Sequence, residues 1–168
     1  MNRPVELQLA SAVRAARLTA GLTVERAAER CELDVRHIQA IEAGGANVTL
    51  RTLARLEAGL ALGILRLEWA GESKLAESNT TTYAADRWQV VGANVSRRRL
   101  ERGLSQAQLA DAAHLSVSLV QSVELAAKAP TLRSVYAIAA ALKVDARDLL
   151  APGISESPKG TRPRIRRR

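Results

Sequence analysis

The sequence predicts an all-α protein built as two tandem copies of one small five-helix domain. Three observations predict it. The first is an internal repeat, shifted by 82 positions without a gap. Leu18, Gly21, Leu22, Ala28, Leu33, Val35, Gln39, Glu42, Thr49, Leu50, Arg51 and Leu60 recur as Leu100, Gly103, Leu104, Ala110, Leu115, Val117, Gln121, Glu124, Thr131, Leu132, Arg133 and Leu142. A unit this long exceeds a solenoid repeat and reads as a whole domain. The second is length. The chain has 168 residues, room for two domains of roughly 65 residues with a connector and a tail. The third is composition. Hydrophobic residues are 47% of the chain, aromatics are 2%, and Phe is absent. The cores must therefore be built from Leu, Val, Ile and Ala, a mixture that favours helices over strands.

The predicted organisation is a first domain over 5–69, a linker over 70–87, a second domain over 88–152 and a basic tail over 153–168. In the first copy, helices are expected near 5–20, 24–31, 35–43, 50–58 and 63–69. Gly21 ends the first of these. Thr23-x-x-Arg26 is no capping box, and Asp34 stands where it would cap the third helix. Gly44 and Gly45 form a helix-ending turn.

The second copy has stronger signals. Val91, Val95 and residues 97–100 form a first helix that stops at Gly103. Ser105-x-x-Gln108 is a capping box for the second helix, whose inner side carries Leu109, Ala112 and Ala113. Leu115 and Ser116 make the turn, and Ser116 caps a third helix with Val120 and Val123 facing inward. Leu109, Ala113, Leu115, Val120 and Val123 are expected core. After a loop over 126–130, Thr131 caps a fourth helix carrying Leu132, Val135, Ile138, Ala139 and Leu142 at helical spacing. Residues 144–150 make a short fifth helix before Pro152 and Gly153. Between the copies, 70–86 is rich in Ser, Thr, Asn, Ala and Gly and reads as loop. Trp69 and Trp88 flank it. They are expected to pack on the adjacent helix, with a dimer contact as the alternative. The tail has no apolar periodicity and is expected to be disordered.

Two short helices joined by a tight turn describe a helix-turn-helix. The run from Arg99 to Gln106, followed by Leu109-Ala110, Leu115-Ser116, Glu124, Pro130-Thr131-Leu132 and 139–142, resembles the lambda-repressor/Cro family (the xenobiotic-response-element type) over about 91–150. The first copy is a degenerate version over about 9–67. It keeps Arg17, Gly21, Leu22, Ala28, Leu33 and Glu42, but has Thr23-Val24 in place of the Ser-Gln pair. Its loop 44–47 lacks a counterpart of Lys128. The resemblance implies two tandem lambda-repressor-like domains. It also implies ion pairs Arg99–Glu124 and Arg17–Glu42, which fix the angle of the recognition helix without reading anything.

In the second copy the residues left outward on the recognition helix are Val117, Ser118, Gln121 and Ser122. Gln bonds adenine through two atoms, Ser bonds several bases, and Val meets a thymine methyl. Gln106, at a helix start, is placed to hold a phosphate, and Lys128 is within reach of the sugar-phosphate chain. The matching residues of the first copy are Val35, Arg36, Gln39 and Ala40, with His37 at the edge. Arg36 can read guanine, and DNA contact by this copy is left open. An ordinary solvated face is the competing reading for both.

The net charge is +8. Six basic residues and one acidic residue lie in 151–168, and eight basic against five acidic in 91–150. Such a balance suits a polyanion. The tail arginines Arg162, Arg164, Arg166, Arg167 and Arg168 suit phosphates or a minor groove, with simple solubility as the alternative. Enzyme readings fare badly. The two histidines, His37 and His114, sit in separate copies. Cys31 aligns with Ala113 and reads as a small core residue. No glycine-rich phosphate loop or metal-spacing cluster occurs, so no catalytic residue, cofactor or metal is expected. A single cysteine, with neither a signal-peptide pattern nor an apolar run of membrane length, suggests a cytoplasmic protein with no membrane partner.

The expected function is a sequence-specific regulator of transcription, a bacterial repressor associated with the nucleoid. Its partner is double-stranded DNA, read by the second copy. The first copy serves as a second reader or as a dimerisation module, so a homodimer is open. The alternative is an antitoxin-type regulator whose domains, the first above all, bind a protein partner.

Overall fold

The computed structural model describes residues 5–62 and 80–150, with backbone alone over 80–87. The first repeat contributes α1 (Val5–Thr19), α2 (Val24–Arg30), α3 (Val35–Glu42) and α4 (Leu50–Leu60). The second contributes α5 (Thr80–Glu101), α6 (Gln106–Ala112), α7 (Val117–Glu124), α8 (Leu132–Ala141) and α9 (Ala146–Leu150). Both repeats are all-α among the described residues, and equivalent helices follow one another in the same order. The predicted helix over 63–69, Trp69, most of the predicted linker and the arginine tail lie outside the described residues.

One loop reading is corrected. α5 begins at Thr80, inside the segment predicted as linker and ahead of the boundary set at 88. The Ser, Thr, Asn, Ala and Gly content of 70–86 reads as loop. No Gly or Pro lies between 80 and 91, so nothing stops the helix from running back beyond its apolar stripe.

The helix starts follow local side-chain chemistry. Ser105 Oγ accepts from the Gln108 amide at 3.1 Å, and Gln108 Oε1 accepts from the Ser105 amide at 2.8 Å. Ser116 and Thr131 accept from the amides of Leu119 and Ser134, each at 3.2 Å. Thr23 caps α2 without a box, accepting from the Arg26 amide at 3.3 Å. Asp34 occupies the cap position of α3, but its carboxylate makes no capping hydrogen bond. The His37 amide donates to the Asp34 backbone carbonyl, at 2.9 Å.

The helix ends are equally local. Gly21 and Gly103 take φ of 65° and 64°, where a Cβ is penalised. At the turn between the two short helices the left-handed residue is not glycine. Glu32 and His114 hold φ of 51° and 54°. Each is fixed by the next residue, whose amide reaches back to the α2 or α6 carbonyl: Leu33 to Ala28 and Leu115 to Ala110, both 2.9 Å. With the Glu32 amide on the Glu29 carbonyl at 3.1 Å and the His114 amide on the Asp111 carbonyl at 3.0 Å, this double closure is the Schellman arrangement.

The apolar stripes meet in one aliphatic core. Val13, Ile38, Ile41, Leu53 and Leu56 fill it in the first repeat, and Val95, Leu109, Val120, Val123, Ile138 and Leu142 in the second. Each such side chain contributes about 1.5–3 kcal/mol by leaving water. Two expectations shift. Ala112 is exposed, and the inner side of α6 is Leu109, Ala110 and Ala113. Leu115 is half-buried at the core's edge.

The repeats pair with each other. Leu50 N–H donates to the Pro130 carbonyl at 2.9 Å, and Leu132 N–H donates to the Val48 carbonyl at 2.8 Å. Thr49 and Thr131 thereby form an antiparallel bridge. Leu50 and Leu132 are the first residues of α4 and α8, so their amides have no partner in their own helix. Each repeat supplies the acceptor that the other lacks. Two arginines at equivalent positions also reach across. Arg133 Nε meets Glu6 Oε1 at 2.7 Å, and the Arg51 guanidinium stands 5.3 Å from the centre of the Trp88 ring. Trp88 thus contacts the other repeat.

Cys31 and Gly59 fit one another closely. A Cβ on Gly59 would stand 2.5 Å from Cys31 Sγ and 2.9 Å from the Arg30 carbonyl group. The second repeat carries Ala113 and Ala141 at these places. Gly59→Ala is expected to lower stability by about 1–3 kcal/mol in urea denaturation. Adding Cys31→Ala should return part of that loss. Strictly additive losses would show that the two sites do not touch.

Candidate nucleic-acid interface

Each repeat presents one short helix with two distinct sides. On α7, Val120 and Val123 are buried, while Val117, Ser118 and Gln121 are exposed and Ser122 is half-buried. Positions 118, 121 and 122 are spaced by three and four, so they share one face. On α3, Ile38 and Ile41 are buried, Arg36, Gln39 and Ala40 are exposed, and Val35 and His37 are half-buried. Ser118 Oγ lies 3.1 Å from Ser116 Oγ, at the start of α7. Arg36 and Lys128 are exposed and make no ion pair or hydrogen bond among the described residues.

An arginine clamp sets the angle of each helix. Arg99 Nε and Nη2 donate to the two carboxylate oxygens of Glu124 at 2.6 and 2.9 Å, and Nη1 donates to the Leu104 carbonyl at 2.9 Å. One guanidinium thus ties the end of α5, the turn after it and the end of α7. The first repeat reproduces it. Arg17 meets Glu42 at 2.6 and 2.9 Å and the Leu22 carbonyl at 3.0 Å. Side-chain exposure is 11% and 6% for Arg99 and Glu124, and 11% and 12% for Arg17 and Glu42. Both pairs are bidentate and nearly dry, the geometry in which an ion pair is strongest and most directional.

The clamps differ in one respect that sequence reasoning missed. Gln106 Nε2 donates to Glu124 Oε2 at 2.9 Å. The side chain assigned to a phosphate is therefore also a third donor to the buried carboxylate. Val24 takes this place in the first repeat. The signal available was the pairing of Gln106 with Glu124 in one copy and Val24 with Glu42 in the other.

The helix-turn-helix family profile matches this chain twice, over residues 13–67 and 95–149. The chain belongs to the helix-turn-helix family. The lambda-repressor resemblance read from the second copy holds for both. The chain is similar to the uncharacterized HTH-type transcriptional regulator y4dJ of Sinorhizobium fredii. The two are 35% identical over 77 residues, which cover 46% of this chain and 99% of that relative. The relative is thus about the size of one repeat, and this helix-turn-helix chain carries two. No solved structure matches the chain.

Around α3 and α7, the described residues offer little other chemistry. Cys31 is buried, and burial pushes its thiol above the ordinary range, away from the reactive thiolate. Among the described residues no three His, Cys, Asp or Glu side chains are grouped to hold a metal. No described helix is long and apolar enough to cross a membrane.

Burial works to raise the Glu124 carboxyl, but hydrogen bonds from Arg99 and Gln106 outweigh it and hold the group below the usual carboxylate range. Hydrogen bonding to Glu124 raises the Arg99 guanidinium in turn. The sign for stability follows. A carboxylate depressed in the folded state stabilises fully above its unfolded pKa, about 4.3, and loses that contribution as pH falls through the folded value. Arg99→Ala, which strands a buried carboxylate, is expected to cost about 3–5 kcal/mol at pH 7. Glu124→Gln should be less stable than wild type at pH 7, and the gap should close as pH drops below about 4.3. Denaturation midpoints of both proteins across that range check this, and a gap that stays constant would contradict it.

Proposed function

We propose that the chain is a sequence-specific regulator of transcription that binds double-stranded DNA through α7, and that it represses by occupying its site. One observation carries this reading. A short helix is clamped at its end by a nearly dry ion pair, while Ser118, Gln121 and Ser122 stand together on its outer face. A helix of this kind fits the major groove, where rigid placement decides which base edges are met. Family membership and the likeness to an HTH-type transcriptional regulator support it.

In this reading each residue has a role. Gln121 makes the two-atom contact to adenine, Ser118 and Ser122 contact neighbouring bases, and Val117 lies on a thymine methyl. The amides at the start of α6, with Gln106, face a phosphate. Lys128, exposed beyond α7, adds a second phosphate contact. The tail arginines supply charge that follows the backbone. The first repeat is the partner of the second, joined to it inside one chain.

Gln121→Ala and Ser118→Ala are expected to weaken binding to a selected duplex by about 1–3 kcal/mol each, with denaturation midpoints unchanged. The binding constant should fall with salt at a log–log slope near −5 for about six neutralised phosphates. Fluorescence anisotropy on a labelled duplex reads both. Wild-type binding by both variants would show that another surface carries recognition. Negligible DNA affinity at any salt would favour a protein-binding module instead.

A further inference from the structure

The contacts between the repeats have a property that a chance domain packing lacks. They are reciprocal. Leu50 donates to Pro130 and Leu132 to Val48, and each bond is the other shifted by 82 positions. Arg133 on Glu6 and Arg51 on Trp88 are related in the same way. A contact in which i meets j and j meets i is the isologous kind that two-fold dimers use. Here it lies inside a single chain, and it relates α3 to α7 by an approximate two-fold axis. The axis passes through the Thr49–Thr131 bridge, in the loops that follow the two helices.

The heads are alike at two outward positions, Val35 with Val117 and Gln39 with Gln121. They differ at two others, Arg36 against Ser118 and Ala40 against Ser122. Arg36 is exposed, and among the described residues nothing holds its guanidinium. A free arginine on a groove-facing helix selects guanine through its two acceptors.

We propose that one copy of this chain spans an asymmetric operator of two unlike half-sites about one helical turn apart. Both halves carry an adenine for the shared glutamine. The half under α3 carries a guanine for Arg36, which the half under α7 lacks. This rests on the DNA-reading function proposed above, and it adds the form of the site and the number of chains on it.

Selection from random duplexes with the purified full chain, followed by sedimentation of the complex, tests it. The expected enrichment is a pair of half-sites about ten base pairs apart, matched at the adenine and unmatched at the guanine, with one chain per duplex. Arg36→Ser should bind that duplex about 5- to 150-fold more weakly and should enrich sites whose halves are more alike. Two chains on a symmetric palindrome would overturn the proposal. So would a lone half-site that Arg36→Ser leaves unchanged. In both of those cases Gln121→Ala would still weaken binding, and reading by α7 would stand. No enriched sequence with either protein would overturn both readings.

Discussion

The first amide of a helix has no acceptor within its own helix. In this chain the first amides of α4 and α8 find theirs in the opposite repeat, through two crossed bonds at Thr49 and Thr131. That exchange joins two small helical domains through a reciprocal contact. The bonds are short and partly shielded, with Leu50 and Leu132 buried on either side. The threonines that flank them also cap their own helices, Thr49 on Thr52 at 3.1 Å and Thr131 on Ser134 at 3.2 Å. One residue position thus closes a helix start and sets the partner's place.

The arginine clamp works at a different scale. It fixes each short helix within its own repeat, where the bridge fixes one repeat against the other. Removing water from a bidentate guanidinium and carboxylate makes the pair costly to break and narrow in geometry. The result is a helix whose outer face cannot rotate without stranding a charge. Together the two devices leave few soft degrees of freedom between Gln39 and Gln121, the equivalent residues on the two outer faces.

The repeats keep what the architecture needs and vary what faces outward. Both retain the clamp, the threonine bridge, the helix-ending glycine and the arginine that reaches across. That arginine finds a carboxylate, Glu6, in one direction and an indole, Trp88, in the other. Either partner satisfies a guanidinium, one by charge and one by the face of a ring. Position 36/118 is under no such constraint, and there the two heads carry chemically different side chains.

Much of this was legible in the residues. Helix starts and stops rest on side chains a few positions apart, so Ser105, Ser116, Thr131 and Gly103 could be assigned from order alone. Asp34 stands at the cap position that order alone assigns, but its carboxylate makes no capping bond. The fixed shift of 82 positions determined that the chain holds two equal domains, and the spacing of Ser118, Gln121 and Ser122 determined which face lies outward. The early start of α5 was hidden because a stretch rich in Ser, Thr, Asn, Ala and Gly imitates a loop. What only the tertiary structure decided is how the two domains meet. Glu6 and Arg133 are far apart in the chain, as are Arg51 and Trp88, and Gln106 reaches Glu124 across a turn. No local rule links such residues, because their distance is set by how two finished cores pack and not by the order of the chain.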